Sequence, residues 1–167
     1  GGLVLVLALM VPALLIHLDM VTFIEDESIR ALVALEMELS GNYITPTLNG
    51  DFYYNKPPLY NWLIILSYRL FGEASEWTAR FPTLVFLMAY LVTIYYYARK
   101  HFSRAEALLM AGAFLTCGRI LLWDSLLGLI DICFSWLMFW LFMVVYHHWR
   151  KEHLYGLFLP AYALAAL

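Results

Sequence analysis

The stretch FPTLVFLMAYLVTIYYYA, Phe81 to Ala98, carries no charged side chain between Arg80 and Arg99. A helix that crosses a bilayer needs about 20 mostly apolar residues, within a range of roughly 17–25. Three more stretches of similar length flank it. Gly1–Leu18 is uncharged up to Asp19, Ala105–Trp123 holds only Glu106 and Arg119 near its ends, and Ser125–Tyr146 holds only Asp131. Leu154–Leu167 opens a further apolar run. The pattern predicts an all-α, polytopic transmembrane helical bundle, with spans at about 1–18, 81–98, 105–123 and 125–146 and a truncated fifth at 154–167.

Composition points the same way. Of the 167 residues 63% are hydrophobic and 14% charged, with a mean hydropathy of +0.73, against about 45–50% apolar and 25% charged in a soluble domain. A single water-soluble domain is excluded. Ten basic against thirteen acidic residues, net −3, supply no basic field, so nucleic acid is not a partner. Cys117 and Cys133 both lie in apolar runs, which argues against a disulfide scaffold, a metal motif or a redox pair. The chain opens at Gly1-Gly2 without methionine and closes inside Leu157–Leu167, so it reads as the N-terminal part of a longer protein. Gly1–Leu18 lacks a basic flank and a small-x-small site, and so reads as an uncleaved span and not a signal peptide.

Orientation follows from the basic residues. Arg99-Lys100-His101-Phe102-Ser103-Arg104 and His147-His148-Trp149-Arg150-Lys151-Glu152-His153 are short, basic loops, and such loops stay cytoplasmic. The long loop 19–80 and the turn 119–124 then face outward. In the outer loop, Ile29, Leu32, Leu35 and Leu39 recur at helical spacing through Ser28–Leu39, which predicts an amphipathic juxtamembrane helix lying on the membrane surface. Ser40-Gly41-Asn42 ends it and Asn49-Gly50 marks a turn. Pro57–Tyr68, apolar between Lys56 and Arg69, is too short to span and suits an interfacial helix started by Pro57 or Pro58.

Charges in or beside bilayer spans cost roughly 2.5–3.5 kcal/mol each at a helix centre, so each needs an account. Asp26 and Glu27 sit where the amphipathic helix starts; Asp26 reads as an N-cap, as a catalytic carboxylate, or as both. Asp131 falls about one and a half turns into the fourth predicted span, and Asp124, seven residues earlier, shares its face if the helix is continuous. Asp26, Asp124 and Asp131 thus converge on the outer face. Lys56, stiffened by Pro57-Pro58, is either a headgroup anchor or a clamp on an anionic phosphate. Arg80 opens the second span and either snorkels or assists Lys56; Arg30 and Arg69 read as headgroup contacts. His17, His101, His147, His148 and His153 form no metal signature. Tyr95-Tyr96-Tyr97, Trp136, Trp140 and Trp149 read as belt and packing residues. Gly-rich phosphate loops, Ser/His/Asp order and CxxC are absent from the sequence.

Several motifs of the first outer loop resemble one family. They are Asp26-Glu27-Ser28-Ile29-Arg30-Ala31, Glu36-Met37-Glu38-Leu39-Ser40-Gly41-Asn42-Tyr43, Pro46-Thr47-Leu48-Asn49-Gly50, Lys56-Pro57-Pro58-Leu59-Tyr60-Asn61-Trp62, Leu70-Phe71-Gly72 and Ala79-Arg80-Phe81-Pro82. Their order resembles the polyprenyl-phosphate-dependent glycosyltransferases of the GT-C fold, which include the lipid A aminoarabinose transferases and protein O-mannosyltransferases. The resemblance implies a bacterial inner-membrane enzyme taking a sugar from a polyprenyl-phosphate donor to a lipid, protein or glycan acceptor at the non-cytoplasmic face, with inversion. It implies Asp26, beside Glu27, as principal carboxylate, Lys56 (with Arg80) on the donor phosphate, and Asp131, then Asp124, as the second acid. It leaves room for a divalent metal, but the Glu that often precedes Lys-Pro-Pro is Asn55 here, and an amide is a poorer ligand than a carboxylate. Two rivals stand beside this expectation: a proton- or cation-coupled secondary transporter using Asp131, and a non-catalytic membrane scaffold.

Overall fold

The computed structural model describes residues 2–16, 18–19, 22–24 and 26–148. The expectations for His17, Trp149 and His153, and for the run 154–167, lie outside the described residues. The elements in chain order are α1 (Gly2–Leu15), α2 (Asp26–Ser40), β1 (Thr47–Leu48), β2 (Asp51–Phe52), α3 (Leu59–Phe71), α4 (Glu76–Ala98), α5 (Arg104–Leu115), a π-helical turn at Ile120–Asp124, and α6 (Asp131–His148). Among the described residues α4 is the one helix long and apolar enough to cross a membrane, and Asp131–Tyr146 is apolar over a shorter length.

α4 starts five residues before the expected 81–98 stretch and runs straight through Pro82. A proline inside a helix has no N–H for the carbonyl four residues back. That carbonyl, on Thr78, accepts instead from the Ser67 hydroxyl of α3 at 2.6 Å. The lost bond is replaced by one that ties α3 to α4.

The apolar run 105–123 is not one helix. α5 ends at Leu115, where the Thr116 hydroxyl bonds back to the Gly112 carbonyl at 2.9 Å. Ser125 N then donates to Ile120 O at 2.9 Å, an i→i−5 closure characteristic of π-turns, which concentrate at functional sites. Residues 125–130 are irregular, so the helix expected from Ser125 begins at Asp131. Asp131 is therefore a first-turn residue and not one buried within a helix. Mean hydropathy sums over such breaks, and here it concealed one.

Residues 26–72 fold as a platform. α2 packs on α3 through Ala31, Val33, Ala34 and Met37, which join Tyr60, Ile64, Ile65 and Tyr68 in one buried cluster. The expected stripe is not the buried face: Leu39 is 78% exposed, whereas Glu27 and Arg30 are buried. Small alanines let α3 approach closely, so the side chains facing it, and not the larger leucines, define the interior. β1 and β2 form a hairpin pairing Thr47 with Phe52 and Leu48 with Asp51. Its two-residue Asn49-Gly50 turn has φ of 56° and 86°, the twist that tight hairpins need. Glu36 of α2 accepts from Asn49 N and Thr47 Oγ1, both at 2.6 Å, fastening the hairpin down. α3 begins after Pro58 and ends at Gly72, whose φ is 76°. Beneath the platform a second core joins Leu14, Leu84, Leu87, Leu91, Ala107, Ala111, Leu115 and Ile132 from α1, α4, α5 and α6.

Candidate active site

Asp26 is the first residue of α2, and Lys56 Nζ donates to its Oδ2. Both side chains reach solvent, Asp26 to 55% and Lys56 to 29%. Pro57 and Pro58, followed at once by α3, fix the backbone behind Lys56. The hydrogen bond from Lys56 holds the Asp26 carboxyl below its ordinary range.

Glu27 and Arg80 behave differently. Each is 1% exposed, and they form a two-bond pair, Nε–Oε1 2.6 Å and Nη2–Oε2 3.0 Å. Glu27 also accepts from Gly128 N at 2.7 Å and Ile24 N at 3.3 Å, and Arg80 donates further to the carbonyls of Leu18 and Thr22. Both groups, expected to meet substrate, are instead spent on protein partners. Arg80 escapes the cost of a lone buried charge by finding a carboxylate, not by snorkelling. The pair clasps α2, α4 and the 125–130 segment where Gly128 passes, since a Cβ there would lie 3.0 Å from Glu27 Oε1 and 3.3 Å from Ala79 O.

A second clasp lies alongside. The buried Tyr60 hydroxyl is 2.6 Å from Thr83 Oγ1, and both hydroxyls lie within reach of Leu129 O, at 3.3 and 3.2 Å. Leu129 is two residues before Asp131. Arg30, expected at the headgroups, lies buried with its guanidinium 5.4 Å over the Tyr60 ring, and its Nη1 lacks a hydrogen-bond partner. Burial pushes the Arg30 guanidinium below its ordinary pKa, against the charges of nearby groups that include Asp26 and Asp131. Arg69, the other expected headgroup contact, is held by protein: its Nε donates to Glu38 at 3.0 Å, and it stacks on Tyr43.

Asp124 and Asp131 do not share a continuous helical face, yet they meet through Arg119. Arg119 Nε is 3.3 Å from Asp124 Oδ2, and Nη2 is 3.6 Å from Asp131 Oδ2. Asp131 is half exposed and Asp124 is buried, with Oδ1 lacking a partner. Sequence reasoning missed Arg119 as a participant, although a lone cation five residues before one acid and twelve before another was a usable signal. The Tyr60–Thr83 contact joins residues 23 apart and left no trace in the pattern.

The described side chains around Asp26 and Asn55 do not suit a metal. Among the described residues no three His, Cys, Asp or Glu side chains are grouped to hold one. Asn55 is exposed, and the nearby Asp26 is already neutralised by Lys56.

The helical arrangement, with α2 and α3 packed together over α4, matches the GT-C fold of a solved glycosyltransferase. The chain belongs to the dolichyl-phosphate-mannose-protein mannosyltransferase family, whose model matches residues 55–167. ArnT from Cupriavidus metallidurans superposes with a TM-score of 0.78 in the apo state and 0.77 bound to undecaprenyl phosphate. Identity is 25%, over 85% of this chain and 26% of that one. An undecaprenyl phosphate-alpha-4-amino-4-deoxy-L-arabinose arabinosyl transferase of Pseudomonas savastanoi pv. phaseolicola is 38% identical over 89 residues, covering 50% of this chain and 17% of the relative. An uncharacterized protein of Aquifex aeolicus is 36% identical over 89 residues, 53% of this chain and 21% of that protein. The match thus covers between 9% and 29% of the length of the curated relatives.

Proposed function

We propose that this chain supplies the donor side of the active site of a membrane glycosyltransferase that moves a sugar from a polyprenyl phosphate to a lipid, protein or glycan acceptor. The observation that carries it is the solvent-reaching Asp26–Lys56 pair, held rigidly where α2 and α3 begin. A lysine is a compact cation suited to a phosphate, and a carboxylate beside it suits the sugar's reacting carbon. The bound phosphate competes for Lys56 and frees Asp26. The acceptor oxygen then bonds to the anomeric carbon while the carbon–oxygen bond to phosphate breaks. The electron pair stays on the phosphate, next to Lys56, and a hydroxyl acceptor's proton passes to Asp26 as general base. One displacement inverts the anomeric carbon. Asp131, at the start of α6, balances the positive charge that builds on the sugar.

α1, α4, α5 and α6 serve in this reading as bilayer elements of a polytopic bundle. The basic segment Arg99–Arg104 is cytoplasmic, and the platform of α2, the hairpin and α3 lies at the periplasmic face of a bacterial inner membrane. The transporter alternative requires a carboxylate within a span; Asp131 opens its helix and is paired with Arg119, which favours the enzyme.

The test is turnover of a panel of polyprenyl-phosphate sugars by the full-length protein in nanodiscs. Wild type should release sugar from at least one donor, and Lys56→Ala should raise the KM for that donor by roughly tenfold or more. Absence of turnover on every donor would overturn the assignment.

A further inference from the structure

Each exposed carboxylate of the site is covered by a cation: Asp26 by Lys56, and Asp131 by Arg119. The second pairing is loose. Its 3.6 Å separation lies beyond a good hydrogen bond, which for N–H···O falls at about 2.7–3.2 Å. Arg119 is 68% exposed, and a guanidinium has five N–H donors in a planar fork, most of which remain unspent on these two acids. Its backbone lies at the entry to the π-helical turn, outside both α5 and α6, so the side chain is not tied to a regular helix face. Arg80, the other cation expected to meet a phosphate, is consumed by Glu27 and two carbonyls.

We propose that Arg119 is a second ligand for the phosphate of the lipid-linked donor, and that its transfer from Asp131 to that phosphate uncovers Asp131. The inference rests on the Asp26–Lys56 reading above and extends it. A phosphate oxygen offers Arg119 a short charge-assisted bond where Asp131 offers a long one. The departing polyprenyl phosphate gains a negative charge as the sugar leaves, so a second cation acts most strongly on the product side. Both carboxylates are then released by one binding event: Lys56 and Arg119 exchange an acid for the incoming anion.

The experiment measures binding of undecaprenyl phosphate to the full-length protein in phosphatidylcholine nanodiscs. Arg119→Lys and Arg119→Gln should weaken binding roughly 10- to 100-fold, the range of a lost charge-assisted contact. Because Arg119 also neutralises buried Asp124, Asp124→Asn/Arg119→Gln serves as the variant without a stranded charge, and its affinity should be equally weak. In Asp131→Asn/Arg119→Gln a mere counter-ion would be dispensable and wild-type affinity would return, whereas a phosphate ligand stays missed. Wild-type affinity in that double variant, or in the single variants, overturns the inference. An Arg119 effect confined to nanodiscs containing phosphatidylglycerol also overturns it, because the partner would then be an ordinary headgroup. Loss of binding in Lys56→Ala with full binding in the Arg119 variants would sink Arg119 alone; no binding by wild type would overturn both readings.

Discussion

Asp26 and Glu27 are adjacent in sequence and opposite in fate: one reaches solvent beside a single lysine, the other is buried under four donors. Truncating one member of a buried pair strands its partner's charge, at about 3–5 kcal/mol. Glu27→Ala should accordingly lower the thermal midpoint of the full-length protein sharply, and Glu27→Leu/Arg80→Met should recover most of the loss. Gly128→Ala should also destabilise, since its new Cβ meets Glu27 Oε1 at 3.0 Å and a backbone carbonyl that cannot swing away. Asp26 carries a pH prediction. Its pKa is depressed by Lys56, so the pair's contribution is fully present above the ordinary carboxylate value and is lost as pH falls through the depressed one. The acid limb of kcat/KM should therefore lie below the ordinary carboxylate range in wild type and move upward in Lys56→Ala. A limb unmoved by that substitution would separate Lys56 from Asp26 in function.

α4, the turn at Asn49-Gly50 and the helix after Pro57-Pro58 were legible because each rests on local chemistry: an uncharged run, a positive-φ pair and a proline start. The buried face of α2 was not, because Ala31 and Ala34 say nothing of their neighbours until α3 packs on them. Nor was the fate of Arg80, since a snorkelling arginine and a buried, paired one look alike at the head of an apolar run. The link between Asp124 and Asp131 was expected for a wrong reason: a shared helix face fails once the chain breaks at Thr116, and Arg119 makes the connection instead. The same irregular segment depends on Tyr60 and Thr83 of α3 and α4, which hold the Leu129 carbonyl. Tyr60→Phe should cost about 0.5–1.5 kcal/mol of stability and lower kcat with little change in donor KM, because it loosens the approach to Asp131 while keeping the ring under Arg30. In the hairpin, Glu36→Ala should expose residues 47–52 to protease at neutral pH, as it removes the acceptor of Thr47, Asn49 and Gly50.

Taken as one molecule, the chain places Asp26 and Asp131 next to residues tied to the first turns of α4, through Glu27–Arg80 and Leu129 O–Thr83, and the basic segment Arg99–Arg104 at the far end of that helix. In a Cys117→Ala background of the full-length protein, Asp51→Cys should react with an impermeant maleimide from outside the cell, and Lys100→Cys only after the membrane is opened. The reverse pattern would turn the site toward the cytoplasm. On the proposed reading, Asp26 is the catalytic carboxylate of a sugar transfer from a lipid phosphate. That role is tested most directly by kcat at saturating donor for full-length wild type and Asp26→Asn, an isosteric change that removes the charge. The fall should be roughly two or more orders of magnitude, with only the small shift in thermal midpoint that losing an exposed ion pair brings; equal kcat in the two proteins would mean that Asp26 is not the catalytic carboxylate.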